Sequence, residues 1–261
     1  MTNLLRSDFY RLFKSKSLYI CTTVALFLTA ANILVLYWAS QVIGEDNAIF
    51  ESLPFKDGIS YGLSSFSNGN NQMIIAIFTA IFVTAEFSHG TMKNVVSKGF
   101  SKVHIYLSKL ISMITATYLI LIANLIVGTI TASFVLGTAG DFSGAYVGDI
   151  LKIAGIELLL NAAMAAILVL VAMVIRNLGG VIAVDIVGVM SVGVLIYSVL
   201  ELLIKSKINF NDYSLFNNIA FYYSNNAAKG TDFLRSAIVA LVYLAATTAL
   251  GIFAFKKSDV K

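Results

Sequence analysis

The chain reads as an all-helical membrane protein of six transmembrane helices, with an amphipathic interfacial helix at its N-terminus and a short cytoplasmic helix between spans two and three. Three observations predict this class. Hydrophobic residues make up 58% of the 261 residues and charged residues only 12%, too apolar a balance for a soluble domain of this size. Six apolar runs come near the ~20 residues that cross a hydrocarbon core of ~30 Å. Basic residues gather in alternate segments between those runs. The whole chain, 1–261, is expected to form one transmembrane domain.

Residues 1–17 precede the first run. Within them Leu5, Phe9, Leu12 and Phe13 fall at i, i+4, i+7 and i+8, with Arg6, Arg11 and Lys14 elsewhere around the turn. This pattern predicts an amphipathic helix lying on the membrane surface; the alternative is a plain basic flank that only sets topology. The spans themselves are expected at about 18–39, 73–87, 110–136, 153–175, 181–204 and 237–255. A signal peptide is the rival for the first, because Arg6, Arg11, Lys14 and Lys16 precede an apolar stretch ending in Thr29-Ala30-Ala31. The apolar pattern continues to Trp38, which favours an uncleaved span. The second run covers only about 22 Å at ~1.5 Å per residue, so it must borrow flanking residues or sit where the bilayer thins. The one cysteine, Cys21, lies in the first span and precludes an internal disulfide.

Two connections are substantial. Gln41 to Gln72 is polar, and Ser64 to Asn71 within it reads as an irregular loop. The outer loop 205–233 mixes Phe210, Tyr213, Phe216, Phe221, Tyr222 and Tyr223 with asparagines; it either lies along or dips into the interface, or forms an ordinary lid. The single proline, Pro54, falls in a loop and the two halves share no motif, so the inverted repeats common in secondary transporters find no support. Gly179, Gly180, Gly188 and Gly193 hint at flexibility around the fifth span.

Charge sets the expected orientation. The N-terminal segment, the loop after span two, the turn at Arg176 and the tail together hold 12 basic residues, and the other segments hold six. By the positive-inside rule both termini are cytoplasmic, in the cell membrane. The net charge of +4 reflects that distribution and does not indicate nucleic-acid binding.

Catalytic signatures are absent. No Gly-Lys dipeptide occurs, so the chain has no Walker A loop, and His89 and His104 fit neither an H-E-x-x-H pattern nor a metal cluster. We therefore expect no enzyme and no bound cofactor, and any ATP must be handled by another chain. Between spans two and three, Met92, Val95, Val96 and Phe100 recur at i, i+3, i+4 and i+8, opposite Lys93, Asn94 and Lys98. Such a helix, over Ser88 to Phe100, puts one face on the membrane domain and offers the other to a cytosolic partner. Gly90 would permit the sharp exit from span two and Gly99 would end the helix.

Intramembrane ionisable residues are functional candidates by default. Glu157 lies near the outer end of span four with Asn161 one turn deeper, whereas Asp185 lies in the inner third of span five, so the two carboxylates cannot pair. Asp185 is expected to form a structural salt bridge with Arg176 or a basic residue of the 88–104 loop, or else a substrate or proton site. Glu157 and Asn161 either line a pathway or serve structure. Glu201 and Lys205 form a favourable helical ion pair.

The pattern Glu86-x-x-x-Gly90-Thr91, a short apolar and basic helix, then Ser101-Lys102 and Lys109 entering a long span, resembles the loop between the second and third spans of ABC-2 type ABC transporter permeases. The likeness extends to the N-terminal helix, six spans and the outer loop before span six. In that family the 88–104 region is the coupling helix that fits a groove on the ATPase subunit. The resemblance implies that Glu86, Gly90, Thr91, Met92, Lys93, Asn94, Val95, Val96 and Lys102 form the ATPase-coupling region. Lys102 stands where the family more often has arginine, which keeps the charge but loses the planar fork. It further implies ATP-binding cassette ATPase subunits that bind ATP and Mg, and a second permease subunit, identical or different. Small permeases of this family often export, or give immunity to, bacteriocins and other antimicrobial peptides. The competing readings are a stand-alone secondary transporter or channel-like protein using Asp185 or Glu157 for ion coupling, and a non-transporting scaffold.

Overall fold

The structure, a computed structural model, describes residues 1–43, 57–137, 144–204, 209–224 and 230–258, and every regular element among them is helical. Among the described residues five helices are long and apolar enough to cross a membrane, over Lys16–Ala39, Gly69–Ser88, Lys102–Leu136, Tyr146–Ile175 and Gly230–Lys257. The chain is thus an all-helical, membrane-embedded protein. Large apolar side chains such as Phe27, Trp38, Phe134, Leu241 and Phe253 project from the outside of this bundle, as a lipid-facing surface requires.

Helix α1 (Thr2–Lys14) ends where Ser15 turns extended, and α2 (Lys16–Ile43) follows at once. The buried stripe of α1 is Leu4, Asp8 and Leu12, with Phe9 packed at its edge and Phe13 48% exposed. The expected apolar face of Leu5, Phe9, Leu12 and Phe13 is therefore rotated. The reason is Asp8, a charge that apolar periodicity excludes but that finds buried partners in the fold.

The expected irregular loop at 64–71 is also revised. Residues 58–64 form α3 (Gly58–Ser64), capped by Asp57, and the turn 65–67 that follows is buried. Glycine is required for α3 to lie where it does. A Cβ on Gly62 would fall 2.0 Å from Thr129 Oγ1 and 2.8 Å from the Leu125 carbonyl oxygen of α6 (Lys102–Leu136). Tyr61 donates from its hydroxyl to the Thr29 carbonyl at 2.7 Å, and Thr29 donates to Asn124 Oδ1 at 2.7 Å, so α2, α3 and α6 are joined by polar contacts in an apolar setting.

Helix α4 (Gly69–Ser88) solves the short second run by starting four residues before Met73. Its 20 residues reach ~30 Å, enough to span the hydrocarbon core. The added polar residues Asn71 and Gln72 are buried and bond to the carbonyls of Ser65 and Phe66. After the short α5 (Thr91–Ser97), α6 begins at Lys102 and not at Leu110.

The centre of the bundle is α7 (Gly144–Ile175), packed by α4, α6 and the last helix, α11 (Gly230–Lys257). Its stretch Leu160–Met173 is almost wholly buried and includes Ala162, Ala163, Ala165, Ala166 and Ala172, small side chains that let neighbouring backbones approach. The fifth expected span, 181–204, is built in three pieces. They are α8 (Leu178–Ala183), a π-helical segment Val184–Val192 and α9 (Gly193–Ile204). A nine-residue π segment is long for a geometry that most often appears as a single-turn bulge.

Of the outer loop 205–233, the described part is a 3₁₀ turn, α10 (Leu215–Ser224) and the first turn of α11, which starts at Gly230 and not at Ala237; α10 buries Leu215, Ile219 and Tyr222 against the bundle. Tyr222 donates to Ser236 Oγ at 3.1 Å and Ser236 donates to Asn218 Oδ1 at 2.8 Å, pinning α10 to α11. Pro54, Lys205 with its expected pairing to Glu201, and the tail residue Lys261 lie outside the described residues.

Candidate functional site

The segments that carry the sequence's basic excess come together at one end of the bundle. Arg11 pairs with Glu86, the Arg176 guanidinium stands 5.2 Å from the Phe87 ring centre, and Lys102 Nζ donates to the carbonyls of Lys256 at 3.0 Å and Ser258 at 2.8 Å. Arg176 turns the chain between α7 and α8 in a left-handed conformation, φ 61°.

At this end α5 sits as a separate small helix. Gly90 at φ 67° ends α4 sharply, and Gly99 at φ 81° ends the unit; both angles favour a residue without Cβ. The connection between α4 and α6 is therefore 89–101, narrower than the 88–104 expected, and its helix covers Thr91–Ser97 where Ser88 to Phe100 was expected. Met92 is buried, and Val95, Val96 and Phe100 pack partly buried against the core. Thr91, Lys93, Asn94, Ser97 and Lys98 are exposed. The residues expected to couple thus divide by face: Met92, Val95 and Val96 seat the helix, and Thr91, Lys93 and Asn94 are available to a partner.

Beneath α5 lies a buried ionic junction. Glu86, 5% exposed, pairs with Lys109 of α6 and with Arg11 of α1; Lys109, 2% exposed, also pairs with Asp8 of α1, which accepts in addition from Ser108 Oγ. Two carboxylates meet two cations, so the charges balance within the cluster. Arg11 donates further to the Phe82 carbonyl at 3.2 Å and lies 4.0 Å over the Phe82 ring. Thr91 Oγ1 donates to the Glu86 carbonyl at 3.2 Å, joining α5 directly to the residue on which the junction turns. Glu86 is therefore an internal link and not a contact for a partner. Lys102 is likewise spoken for, since it satisfies the last carbonyls of α11, where helix geometry leaves acceptors free and the dipole favours a cation.

Sequence reasoning missed Asp8 and the inward role of Lys109. The available signal was a carboxylate four residues from each of the apolar residues Leu4 and Leu12, on the face that should be dry.

At the opposite end, Glu157 and Asn161 of α7 are each 1% exposed and meet the turn after α3. Ser67 Oγ donates to Glu157 Oε1, Gln72 Nε2 donates to Asn161 Oδ1 at 2.7 Å, and Asn161 Nδ2 donates to the Phe66 carbonyl at 3.3 Å. Asp185, at the start of the π segment, is fully buried, and neither of its oxygens has a hydrogen-bond partner among the described residues. The structural salt bridge expected for it is not formed. No hydrogen bond or ion pair joins Glu157 to Asp185 among the described residues.

A family model described as "Protein of unknown function (DUF2705)" matches residues 51–261, which takes in α3 through α11 and hence α5, Glu86 and Lys109. No curated protein matches the chain.

Proposed function

This chain belongs to the DUF2705 family, and we propose that it is the permease subunit of an ATP-binding cassette exporter of the ABC-2 type. The observation that carries the proposal is α5: a two-faced helix set off by two left-handed glycines, anchored by Met92 and presenting Lys93, Asn94 and Lys98 outward at the basic end. A partner pressing on that face would push on Glu86 through Thr91, and through the Glu86–Lys109–Asp8 junction on α1, α4 and α6 together. Buried ion pairs with closed charge balance resist being pulled apart, so the push moves helices as bodies.

In this reading the α8, π and α9 series is the fifth crossing, giving six spans with both termini cytoplasmic. A partner ATPase binds ATP and Mg, a second permease half completes the translocation path, and a peptide or antimicrobial compound is the cargo. The test is purification from the native membrane. A chain carrying a Walker A loop should co-purify, and Lys93→Glu with Lys98→Glu should release it while membrane insertion and the melting temperature stay unchanged. Retention of the ATPase by that double variant would defeat the docking assignment.

A second reading, an ion-driven carrier, is favoured by the buried carboxylate oxygens of Glu157 and Asp185 that lack partners. It requires transport in liposomes without ATP, abolished by Asp185→Asn.

A further inference from the structure

The turn 65–67 leaves a one-sided set of hydrogen bonds. The amide nitrogens of the three buried side chains around it are in use: Asn71 Nδ2 on the Ser65 carbonyl at 2.8 Å, Gln72 Nε2 on the Phe66 carbonyl at 3.0 Å, and Asn161 Nδ2 on the Glu157 carbonyl at 2.8 Å. Because each nitrogen faces a carbonyl, the orientation of each amide is fixed and its oxygen is turned elsewhere. The atoms left over are Asn71 Oδ1, Gln72 Oε1, Glu157 Oε2 and Ser65 Oγ, all buried and without a hydrogen-bond partner among the described residues. Their residues are at most 2% exposed. Asn71 Oδ1 and Gln72 Oε1 only accept, and Glu157 Oε2 does so once its carboxyl is ionised, so an ionised Glu157 leaves this place short of donors or positive charge.

The two ends of the bundle differ on this point. At the basic end two carboxylates are matched by Arg11 and Lys109. Around Glu157, among the described residues, no basic side chain takes that part, and the carboxylate's one side-chain partner is the Ser67 hydroxyl. Hydrogen bonds attach Asn71, Gln72 and Glu157 to three consecutive residues of one turn, and Ser65 is itself one of the three. Buried acceptors left unpaired are costly, and hard oxygen donors of this kind suit hard cations. One carboxylate among neutral oxygens matches a single positive charge, whereas divalent ions are ordinarily held by more carboxylate charge.

We propose that this turn binds a monovalent cation, with Glu157 supplying the countercharge and Gln72, Asn71 and Ser65 supplying neutral oxygens. The cation is either a free metal ion such as sodium or the ammonium group of a small molecule. The site stands independently of how transport is powered. Asp185 is not counted in it, since it stands on the π segment and no hydrogen bond links it to this turn.

The experiment uses the full chain in lipid nanodiscs at constant ionic strength, with its melting temperature followed as choline chloride is replaced by sodium, potassium or methylammonium chloride. A ligand that binds only the folded state raises the melting temperature saturably. At least one of the three small cations should do so relative to choline, which is bulky and has no N–H. A response to the metal ions identifies a free-ion site, and a response to methylammonium alone identifies an ammonium site. Glu157→Gln should abolish the shift, and Ser65→Ala, which keeps the charge and removes one oxygen that makes no other hydrogen bond, should raise the half-saturating concentration about tenfold, the equivalent of one ligand worth ~1.4 kcal/mol. The proposal is overturned if none of the three cations shifts the wild type, or if the shift survives Glu157→Gln. Should Glu157→Gln fail to fold, an unchanged half-saturation in Ser65→Ala overturns it equally.

Discussion

Replacing Lys109 by methionine is the sharpest perturbation of the buried ionic junction, because it removes the cation and keeps the length of the apolar stem. Lys109 is 2% exposed and holds two carboxylates, Asp8 at 4% and Glu86 at 5% exposure. After the change Glu86 still has Arg11, but Asp8 retains only the Ser108 hydroxyl. A buried charge left without its counterion costs about 3–5 kcal/mol, so Lys109→Met should lose about that much stability. Arg11→Met should cost less, about 1–2 kcal/mol, because Glu86 keeps Lys109 and the Arg11 side chain is 36% exposed and screened. The double variant Asp8→Leu with Lys109→Met removes the stranded carboxylate and should recover at least ~1 kcal/mol of the summed single losses. The assay is reversible SDS-induced unfolding in mixed micelles, with amide exchange over residues 2–14 reporting whether α1 detaches. A Lys109→Met protein within ~0.5 kcal/mol of wild type, or strictly additive single and double changes, would refute the junction as described.

Two further outcomes follow from close contacts elsewhere. Gly62→Ala should cost about 1–3 kcal/mol, since the new methyl would meet Thr129 Oγ1 at 2.0 Å and a backbone carbonyl at 2.8 Å that cannot swing aside; unfolding in the same micelles measures it. Lys102→Met should speed amide exchange in the last turn of α11 around Phe255 to Lys257, while leaving exchange in α4 unchanged, because Lys102 satisfies the Lys256 and Ser258 carbonyls.

Much of the helical layout was legible in the sequence, because apolar runs of membrane length admit few other structures. The small helix α5 was legible too, since Gly90 and Gly99 bracket a helical period of Met92, Val95 and Val96. What hid was buried polarity. Lys102, His104 and Lys109 made span three look as though it began at Leu110, although Lys109 lies in the dry interior opposite Asp8 and Glu86. Asp8 was invisible for the same reason: a rule that seeks apolar faces cannot select a charge whose partner lies 101 residues away. The serine-rich stretch around residue 65 read as loop, yet Asn71, Gln72 and Asn161 satisfy the Ser65 and Phe66 carbonyls and Glu157 the Ser67 hydroxyl, which allows it to be buried. The π segment had only the glycines around it as a sign, and nothing in its composition distinguishes it from an ordinary apolar helix.

The central claim, that α5 is the docking surface for an ATPase, is tested most directly by site-specific cross-linking in native membranes. Cys21, the only cysteine, is buried, so a Cys21→Ser background carrying Asn94→Cys places a single reactive thiol on the exposed face of α5. With a short photoreactive reagent on that thiol, we expect a cross-linked product with a chain that contains a Walker A loop, and its yield should change when ATP is added. Products formed only with lipid or with a second copy of this chain would contradict the claim.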